Sequence, residues 1–433
     1  MRYLFGLLCV CALGTIPLIG CSETGGNGGT GGDGGSGGGG IGGDGGTGGS
    51  EPYVWCVQYP PQSTDFYGVS FTDANTGTVV GQSGTILRTT DGGATWVAQT
   101  SGTSAILYGV SFTDANTGTV VGGTTILRTT DGGATWVAQT SGTTDDLRGV
   151  SVTDANTGTA VGLGGDFGAI LRTTDGGAAW VAQTSGTTAG LLGVSFTDAN
   201  IGTVVGGTSI LRTTDGGATW VPQTSGTTNS LSGVSLTDSN TGTAVGTEGT
   251  ILRTTDGGAT WVPQTSGTTA WLIGVSFADA SNGAAVGAGA GPEAGTTLRT
   301  TDGGATWVAQ DSGTRSWLIG VSFTDANTGT AVGFDGTILR TTDVRRYSSS
   351  CDPFCARIDS CSLTDRLPHC AQSCGCTVNE GAQISAACET AVSDVNACVV
   401  ALSSCEQVEA WLDRTPVDSY PCKAADDNVI STC

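Results

Sequence analysis

The chain is 433 residues long, which is enough for two or three domains. Its 38 acidic residues outweigh 16 Lys and Arg and give a net charge of −22, so nucleic acid is excluded as a partner because its phosphates would be repelled. Glycine contributes 74 residues and charged residues only 12%, a composition typical of short strands joined by turns.

Residues 1–20 predict an export signal. An early Arg precedes the apolar run LFGLLCVCALG, which is too short for a stable spanning helix. The run leads to LIGC, which ends at Cys21 and resembles the bacterial lipobox. The resemblance implies cleavage before Cys21, acylation of this residue and, because Ser22 follows, sorting to the outer membrane. Several acyl chains hold a protein at a membrane durably. An ordinary signal peptide with a chance cysteine is the alternative.

Residues 21–50 are predicted to carry the lipid and to form a flexible linker. Residues 24–50 are mostly glycine, and glycine without apolar partners cannot repay the entropy of ordering. A random coil of this length reaches about 30 Å. A nucleotide-binding loop is not predicted here, because these glycines lack the strand and helix that flank such a loop. We therefore expect the linker to hold the following domain away from the membrane.

Seven related units of about 41 residues follow the linker. The Asp of each RTTD sequence falls at positions 91, 131, 175, 215, 256, 302 and 343. Within a unit, GVSFT, TVVG, TILRTT and TWVAQT read as four strands, and DANTG and DGG read as turns between them. Four short antiparallel strands per unit predict one blade of a β-propeller, and seven units predict seven blades.

The sequence TTDGGATW at residues 89–96 resembles the Asp box, S/T-x-D-x-G-x-T-W, of bacterial neuraminidase repeat (BNR) propellers. The fuller repeat is similar to that of photosystem II assembly and stability factors, although those factors often carry Trp where this chain has Thr78. The resemblance spans residues 52–343. It implies that the box Asp holds the hairpin between the third and fourth strands and that the box Trp packs into the blade. The residues that match are Asp91, Asp131, Asp175, Asp215, Asp256 and Asp302, and Trp96, Trp136, Trp180, Trp220, Trp261 and Trp307.

The last unit ends before its fourth strand, and the missing strand lies at the front of the repeats. Trp55 precedes Gly68 by 13 residues, the interval that also separates Trp96 from Gly109. We expect residues 55–58 to pair with residues 337–342 and close the ring, so that no long sheet edge is exposed. The propeller is assigned to residues 51–347.

Residues 348–433 contain eleven cysteines and predict a disulfide-rich, mainly helical domain. Zinc binding is the alternative, but a lone His369 and the absence of paired CxxC spacing argue against it. Eleven cysteines cannot all pair with one another. Since Cys56 lies on the closing strand, we expect it to bond one of Cys351, Cys355 and Cys361.

The chain offers few residues for catalysis. Its single histidine lies in the tail, so no Ser/His/Asp or Cys/His arrangement can form in the propeller. The repeat arginines each precede a box Asp by three and are interpreted as part of the blades. Glu248 and Glu293 on neighbouring blades are a candidate acid/base pair. A glycoside hydrolase of the sialidase-like type is therefore the alternative function, and neither a cofactor nor a metal is expected, because DANTG supplies too few oxygens for Ca²⁺.

Differences between the units indicate where a partner would bind. DANTG and the Asp box share one face of a propeller and barely change, whereas the second-to-third turns and the links between blades share the other face and carry the differences. Trp271 and Trp317 occupy equivalent link positions, and rings beside a cation suit a sugar or a protein loop. Local packing is the alternative for this pair. The candidate binding residues are Trp271, Trp317, Arg315, Arg148, Tyr67 and Tyr108.

The sequence thus predicts an all-β, seven-bladed propeller with a cysteine-rich C-terminal domain. The protein is expected to be an outer-membrane lipoprotein, periplasmic or surface-exposed. Its predicted role is binding or scaffolding, with a protein or polysaccharide as partner and the membrane reached through the lipid.

Overall fold

The computed structural model describes residues 20–22, 54–58, 60–165, 168–289 and 295–342. Within these residues the chain forms seven antiparallel sheets, each a blade of four strands, with one short extra strand on blade 7. The predicted seven-bladed, all-β propeller is confirmed. The predicted cysteine-rich domain lies outside the described residues. In this part of the chain no helix is long and apolar enough to cross a membrane.

The strands are numbered in chain order. They are β1 Gly20–Ser22 and β2 Val54–Gln58, both in blade 7; β3 Phe66–Phe71, β4 Gly77–Gly81, β5 Ile86–Thr89 and β6 Val97–Gln99 in blade 1; β7 Gly109–Phe112, β8 Gly118–Gly122, β9 Thr125–Thr129 and β10 Val137–Gln139 in blade 2; β11 Asp146–Val152, β12 Gly158–Leu163, β13 Ala169–Thr173 and β14 Val181–Gln183 in blade 3; β15 Gly193–Phe196, β16 Gly202–Gly206, β17 Ser209–Thr213 and β18 Val221–Gln223 in blade 4; β19 Leu231–Leu236, β20 Gly242–Gly246, β21 Ile251–Thr254 and β22 Val262–Gln264 in blade 5; β23 Trp271–Phe277, β24 Gly283–Ala288, β25 Gly295–Thr300 and β26 Val308–Gln310 in blade 6; β27 Leu318–Phe323, β28 Gly329–Gly333 and β29 Ile338–Thr342 in blade 7. A 3-10 turn, Gln82–Gly84, joins β4 to β5.

The apolar core lies between neighbouring blades. Val80 and Ile86 of blade 1 pack with Leu107, Val120 and Leu127 of blade 2, and similar clusters recur around the ring. Full burial of one such side chain contributes about 1.5–3 kcal/mol. One blade cannot bury its own faces, so the repeat folds only as an array.

The ring closes as the sequence predicts. Strand β2 pairs with β29, with Trp55 opposite Thr341 and Gln58 opposite Ile338. The first strand of every blade contacts the first strand of the next, and β27 of blade 7 contacts β3 of blade 1. The N-terminal strand therefore supplies the outermost strand of blade 7 and fastens the two ends of the propeller together.

A Trp–Gln hydrogen bond joins each blade to the one before it. The indole N–H of Trp96 donates to Oε1 of Gln58 at 3.2 Å, and the Gln58 amide donates to the carbonyl of Gly92 at 3.2 Å. All seven blades make the indole bond, and the last closes the circuit from Trp55 to Gln310 at 3.2 Å. The closing strand thus makes the same contact as its six counterparts.

The outermost strands protect their open edges. Each is three residues long in blades 1 to 6 and exposes a valine, from 63% for Val97 to 54% for Val308. Pro222 and Pro263 replace alanine at the middle position without changing the register against the third strand. The amide at this position therefore faces away from the sheet, and proline removes a donor that another strand could use.

Strand β1 lies against β2, with Cys21 opposite Cys56 in the register. Cys56 is buried and its sulfur is disulfide-bonded. The predicted partners Cys351, Cys355 and Cys361 lie outside the described residues, so this pairing stays a prediction.

Candidate binding face

Two faces of the ring differ in how their polar groups are used. On the first, the Asp-box face, the N–H of Gly92 donates to the carbonyl of Asn75 at 2.8 Å and joins the Asp box to the DANTG turn. On the second, the link face, the N–H of Gln82 in the second-to-third turn donates to the carbonyl of Asp65 in the link at 2.9 Å. The blades therefore distribute their turns as the sequence analysis expects.

The box aspartates hold their hairpins. In blade 2, Oδ1 of Asp131 accepts from the Thr135 amide at 2.9 Å and from the Thr129 hydroxyl at 2.8 Å, and Oδ2 accepts from the Thr135 hydroxyl at 2.6 Å. These bonds, led by that from the Thr135 hydroxyl, lower the pKa of Asp131 to about 2. Equivalent bonds fix Asp91, Asp175, Asp215, Asp256 and Asp302. The carboxylates stabilise turns, and their acceptors are engaged within the fold.

The repeat arginines connect one blade to the next. Nη1 of Arg88 donates to the hydroxyl of Thr78 at 2.9 Å, and Nη2 donates to the carbonyl of Ala115 in the DANTG turn of blade 2. The guanidinium also lies over the Phe112 ring, 4.9 Å from its centroid. The carbonyl bond recurs in all seven blades. This role between blades was not predicted, because the sequence shows the spacing within a unit but not which neighbour the side chain reaches.

The link face carries a ring of seven side chains that differ between blades, which we call the collar. Each collar residue directly precedes the Gly of a GVSF-like stretch: Tyr67, Tyr108, Arg148, Leu192, Ser232, Ile273 and Ile319. In five blades the strand register skips this residue, for example from Phe66 to Gly68. Such a bulge leaves one residue out of the ladder and redirects its side chain.

Glycine after each collar residue lets the collars of adjacent blades meet. A Cβ on Gly68 would lie 2.7 Å from the carbonyl oxygen of Tyr108, and a Cβ on Gly320 would lie 3.0 Å from that of Tyr67. The same approach occurs at the other five junctions. Consequently, collar side chains that are about 41 residues apart in sequence stand side by side.

Four predicted residues and one further ring form a continuous set, which we call the aromatic arc: Arg148, Tyr108, Tyr67, Phe334 and Trp317. The Arg148 guanidinium lies 3.8 Å from the Tyr108 centroid. Ring centroids are 5.1 Å apart for Tyr108 and Tyr67, 6.1 Å for Tyr67 and Phe334, and 5.7 Å for Phe334 and Trp317. The arc crosses blades 3, 2, 1 and 7, and all five side chains are half-buried.

Phe334 was not among the predicted site residues. It lies in the FDG turn of blade 7, whose counterparts in blades 1 and 5 are QSG and TEG. The signal was present, since this turn replaces a polar residue with an aromatic one. Its ring joins Trp317 to the collar, so without it the predicted residues would form two separate groups.

Two other predicted residues, Trp271 and Glu248, lie apart from the arc. Trp271 is 41% exposed, and its indole N–H donates to the hydroxyl of Ser232 at 2.9 Å, which fixes the ring beside the collar of blade 5. Arg315 is exposed two residues before Trp317. Glu248 lines an open groove of about 810 Å³, and no second carboxylate lines that groove among the described residues. Glu293 lies outside the described residues, so the acid/base pair stays a prediction.

Acidic groups border the arc. The Asp335 amide donates to Oδ1 of Asp65 at 3.1 Å, and Oδ2 of Asp335 accepts from the Ser316 hydroxyl at 3.0 Å. Burial, followed by the nearby Asp65 carboxylate, raises the pKa of Tyr67. Asp146 forms an ion pair with Arg148. No cluster of His, Cys, Asp or Glu suited to a metal ion occurs within the ranges that the structure describes.

Comparisons with known proteins agree with this geometry. Residues 51–191 and 186–262 match the family described as Photosynthesis system II assembly factor YCF48. The solved structure of YCF48 bound to D1 peptide is 24% identical with a TM-score of 0.56, over 67% of this chain and 95% of that one. YCF48 from Cyanidioschyzon merolae is 22% identical with a TM-score of 0.54, over 66% of this chain and 98% of that one.

A GH74 xyloglucanase from Xanthomonas campestris shares the fold at 15% identity and a TM-score of 0.54, over 69% of this chain and 55% of that one. No curated protein matches the sequence. The fold and the Asp boxes define a BNR-type β-propeller. Within that class, the chain resembles the photosystem II assembly factor YCF48.

Proposed function

We propose that this chain is a non-catalytic, extracytoplasmic lipoprotein whose propeller binds a protein partner through its link face. The aromatic arc carries the proposal. Its five side chains touch one another across four blades, yet the fold does not require them. Blades 4, 5 and 6 build the same strands with Leu192, Ser232 and Ile273 in the collar.

The contrast between the two faces supports this choice of surface. On the Asp-box face the carboxylates and guanidinium groups bind neighbouring turns, so the repeat itself explains them. On the link face, half-buried rings and an exposed Trp271 provide rigid contact area of the kind that dominates protein interfaces. The similarity to YCF48, which has been solved bound to D1 peptide, favours a protein over a polysaccharide as partner.

Anchoring belongs to the same proposal. The LIGC sequence at Cys21 provides the lipid attachment, and the glycine-rich residues 24–50 connect it to the propeller. Ser22 after the lipidated cysteine favours the outer membrane.

Recovery of the partner with variants of each face tests the proposal. The tagged full-length protein is used to isolate partners from an envelope extract. Trp271→Ser installs the residue that blade 5 carries at the equivalent Ser230, so the fold has a precedent for it. The control, Thr117→Ile on the Asp-box face, installs the residue that blade 4 carries at Ile201. We expect recovery to fall with Trp271→Ser and to persist with Thr117→Ile. The reverse pattern, or recovery of a glycan without protein, would reject the proposal.

A further inference from the structure

We propose that the aromatic arc receives an arginine or lysine side chain from an extended segment of the partner protein, with Asp65 and Asp335 pairing with its charge. This inference rests on the proposed function and specifies the chemistry of the partner. It is carried by the juxtaposition of Tyr67, Tyr108 and Phe334 with the two carboxylates.

One cation of the chain itself, the Arg148 guanidinium, already stacks on an aromatic ring of the arc. The Arg148 guanidinium stacks over Tyr108 at 3.8 Å, closer than the 4.5–4.9 Å at which five repeat arginines lie over phenylalanine rings between blades. Aromatic faces attract guanidinium and ammonium groups through their electron-rich centres. Tyr67 meets Tyr108 and Phe334 edge-on, with interplanar angles of 62° and 78°, so these rings extend the arc away from Arg148, and both are partly exposed to a cation from outside.

Carboxylates provide the complementary charge. Asp335 is exposed and directly follows Phe334, and its backbone amide bonds the side chain of Asp65, which precedes Tyr67 by two residues, so the two acidic residues lie together beside these rings. Asp146 is paired with Arg148 at the other end of the arc. In a chain of net charge −22, this arrangement attracts a basic partner segment and repels an acidic one.

The shape of the arc requires an extended segment. Three successive centroid separations of 5.1, 6.1 and 5.7 Å span more than one side chain can cover. A strand advances about 3.3 Å per residue, so about five residues would follow the arc. Alternate side chains of such a segment point the same way, so two basic residues separated by one would face the rings and the carboxylates.

Fluorescently labelled seven-residue peptides test the inference with the full-length protein. Their alternate residues are alanine and arginine, alanine and lysine, or alanine and glutamate, and binding is followed by fluorescence anisotropy at low and high salt. We expect the arginine and lysine peptides to bind and the glutamate peptide not to bind. Binding of the glutamate peptide with equal affinity would overturn the inference.

Two matched pairs of variants separate the site from the general attraction of an acidic protein for cations. Tyr67→Leu with Tyr108→Leu changes no charge and installs the residue found in the collar at Leu192; its control is Ile273→Leu. Cation–aromatic contacts of ordinary strength correspond to a loss of about fivefold or more in affinity for the arginine peptide. The control should stay within about twofold of wild type.

Asp335→Asn has a control in Glu248→Gln. The two residues occupy equivalent turns of blades 7 and 5, with φ of 57° and 55°, and each substitution removes one charge. We expect Asp335→Asn to weaken binding and reduce its salt dependence more than Glu248→Gln does. Equal effects of the two substitutions, or a double tyrosine variant that melts like wild type and binds equally well, would overturn the inference.

Failure here can be told apart from failure of the proposed function. If the partner is recovered through the link face but its contact segment lacks a basic residue, the proposed function stands and this inference is wrong. If Trp271→Ser leaves recovery intact while Thr117→Ile abolishes it, the proposed function fails first.

Discussion

Replacing Trp55 with alanine should open the ring. Trp55 is fully buried, meets Phe323 edge-on with 6.1 Å between ring centroids, and donates its indole N–H to Gln310. Removal of a buried Trp costs about 3–5 kcal/mol. Set against a typical total of about 5–15 kcal/mol, this loss takes about a fifth or more of the stability of the fold. Because β2 is the strand that fastens the two ends together, its release should also expose the edge of β29.

Urea unfolding and limited proteolysis measure the two effects. The control is Trp136→Ala in blade 2, which removes a similar edge-on contact with Phe112 and a bond to Gln99 without touching the closure. Both variants should unfold at lower urea, but only Trp55→Ala should become sensitive to protease near the chain ends of the ring. If Trp55→Ala lowers the free energy of unfolding by less than about 1 kcal/mol, or if both variants are cleaved alike, the proposed role of β2 in closing the ring is wrong.

Four further outcomes are expected. Cys21→Ser should release the protein from membranes into the soluble fraction after a high-salt wash, and retention would contradict the lipid anchor. Non-reducing peptide mapping should join Cys56 to one of the first three tail cysteines. Since acylation consumes the Cys21 thiol, a peptide joining Cys21 to Cys56 would contradict both this pairing and the anchor. Trp271→Ser should leave the melting temperature within about 2 °C of wild type while reducing partner recovery, and a large drop in melting temperature would show that the ring is part of the core. The melting temperature should fall as the pH is lowered from 3.8 towards about 2. The pKa of Asp131 and its counterparts is lower in the folded chain than in the unfolded chain, so these carboxylates stabilise the fold above the unfolded pKa of 3.8, and this stabilisation is lost as the pH falls through the folded pKa of about 2. A melting temperature that does not change over this pH range would contradict the role of the Asp boxes.

The sequence was sufficient to predict the features of the fold that recur in every unit. The regular spacing of the RTTD sequences predicted the number of blades. The absence of a fourth strand after the last of them predicted that the strand containing Trp55 closes the ring. Both follow from local rules: turn residues punctuate each strand, and an array must bury faces that a single blade exposes.

Contacts between blades could not be predicted in the same way. The reach of Arg88 to Ala115 and the edge-on contact of Tyr67 with Phe334 depend on the tilt of adjacent sheets and on the bulge at the collar. A bulge changes which side of the strand a residue faces, so alternation alone does not place Tyr67 beside Tyr108. The sequence likewise treated Trp271 and Trp317 as a pair, whereas the structure places Trp271 against Ser232 of blade 5 and Trp317 against Phe334.

Site-specific photocrosslinking tests most directly whether the link face is the binding face. A photoreactive amino acid replaces Phe334 on the link face or Asn116 on the Asp-box face, in the full-length protein exposed to envelope extract. The account predicts a discrete crosslinked protein from position 334 and none from position 116, with the crosslinked peptide containing a basic residue. A crosslink from position 116 alone would contradict it.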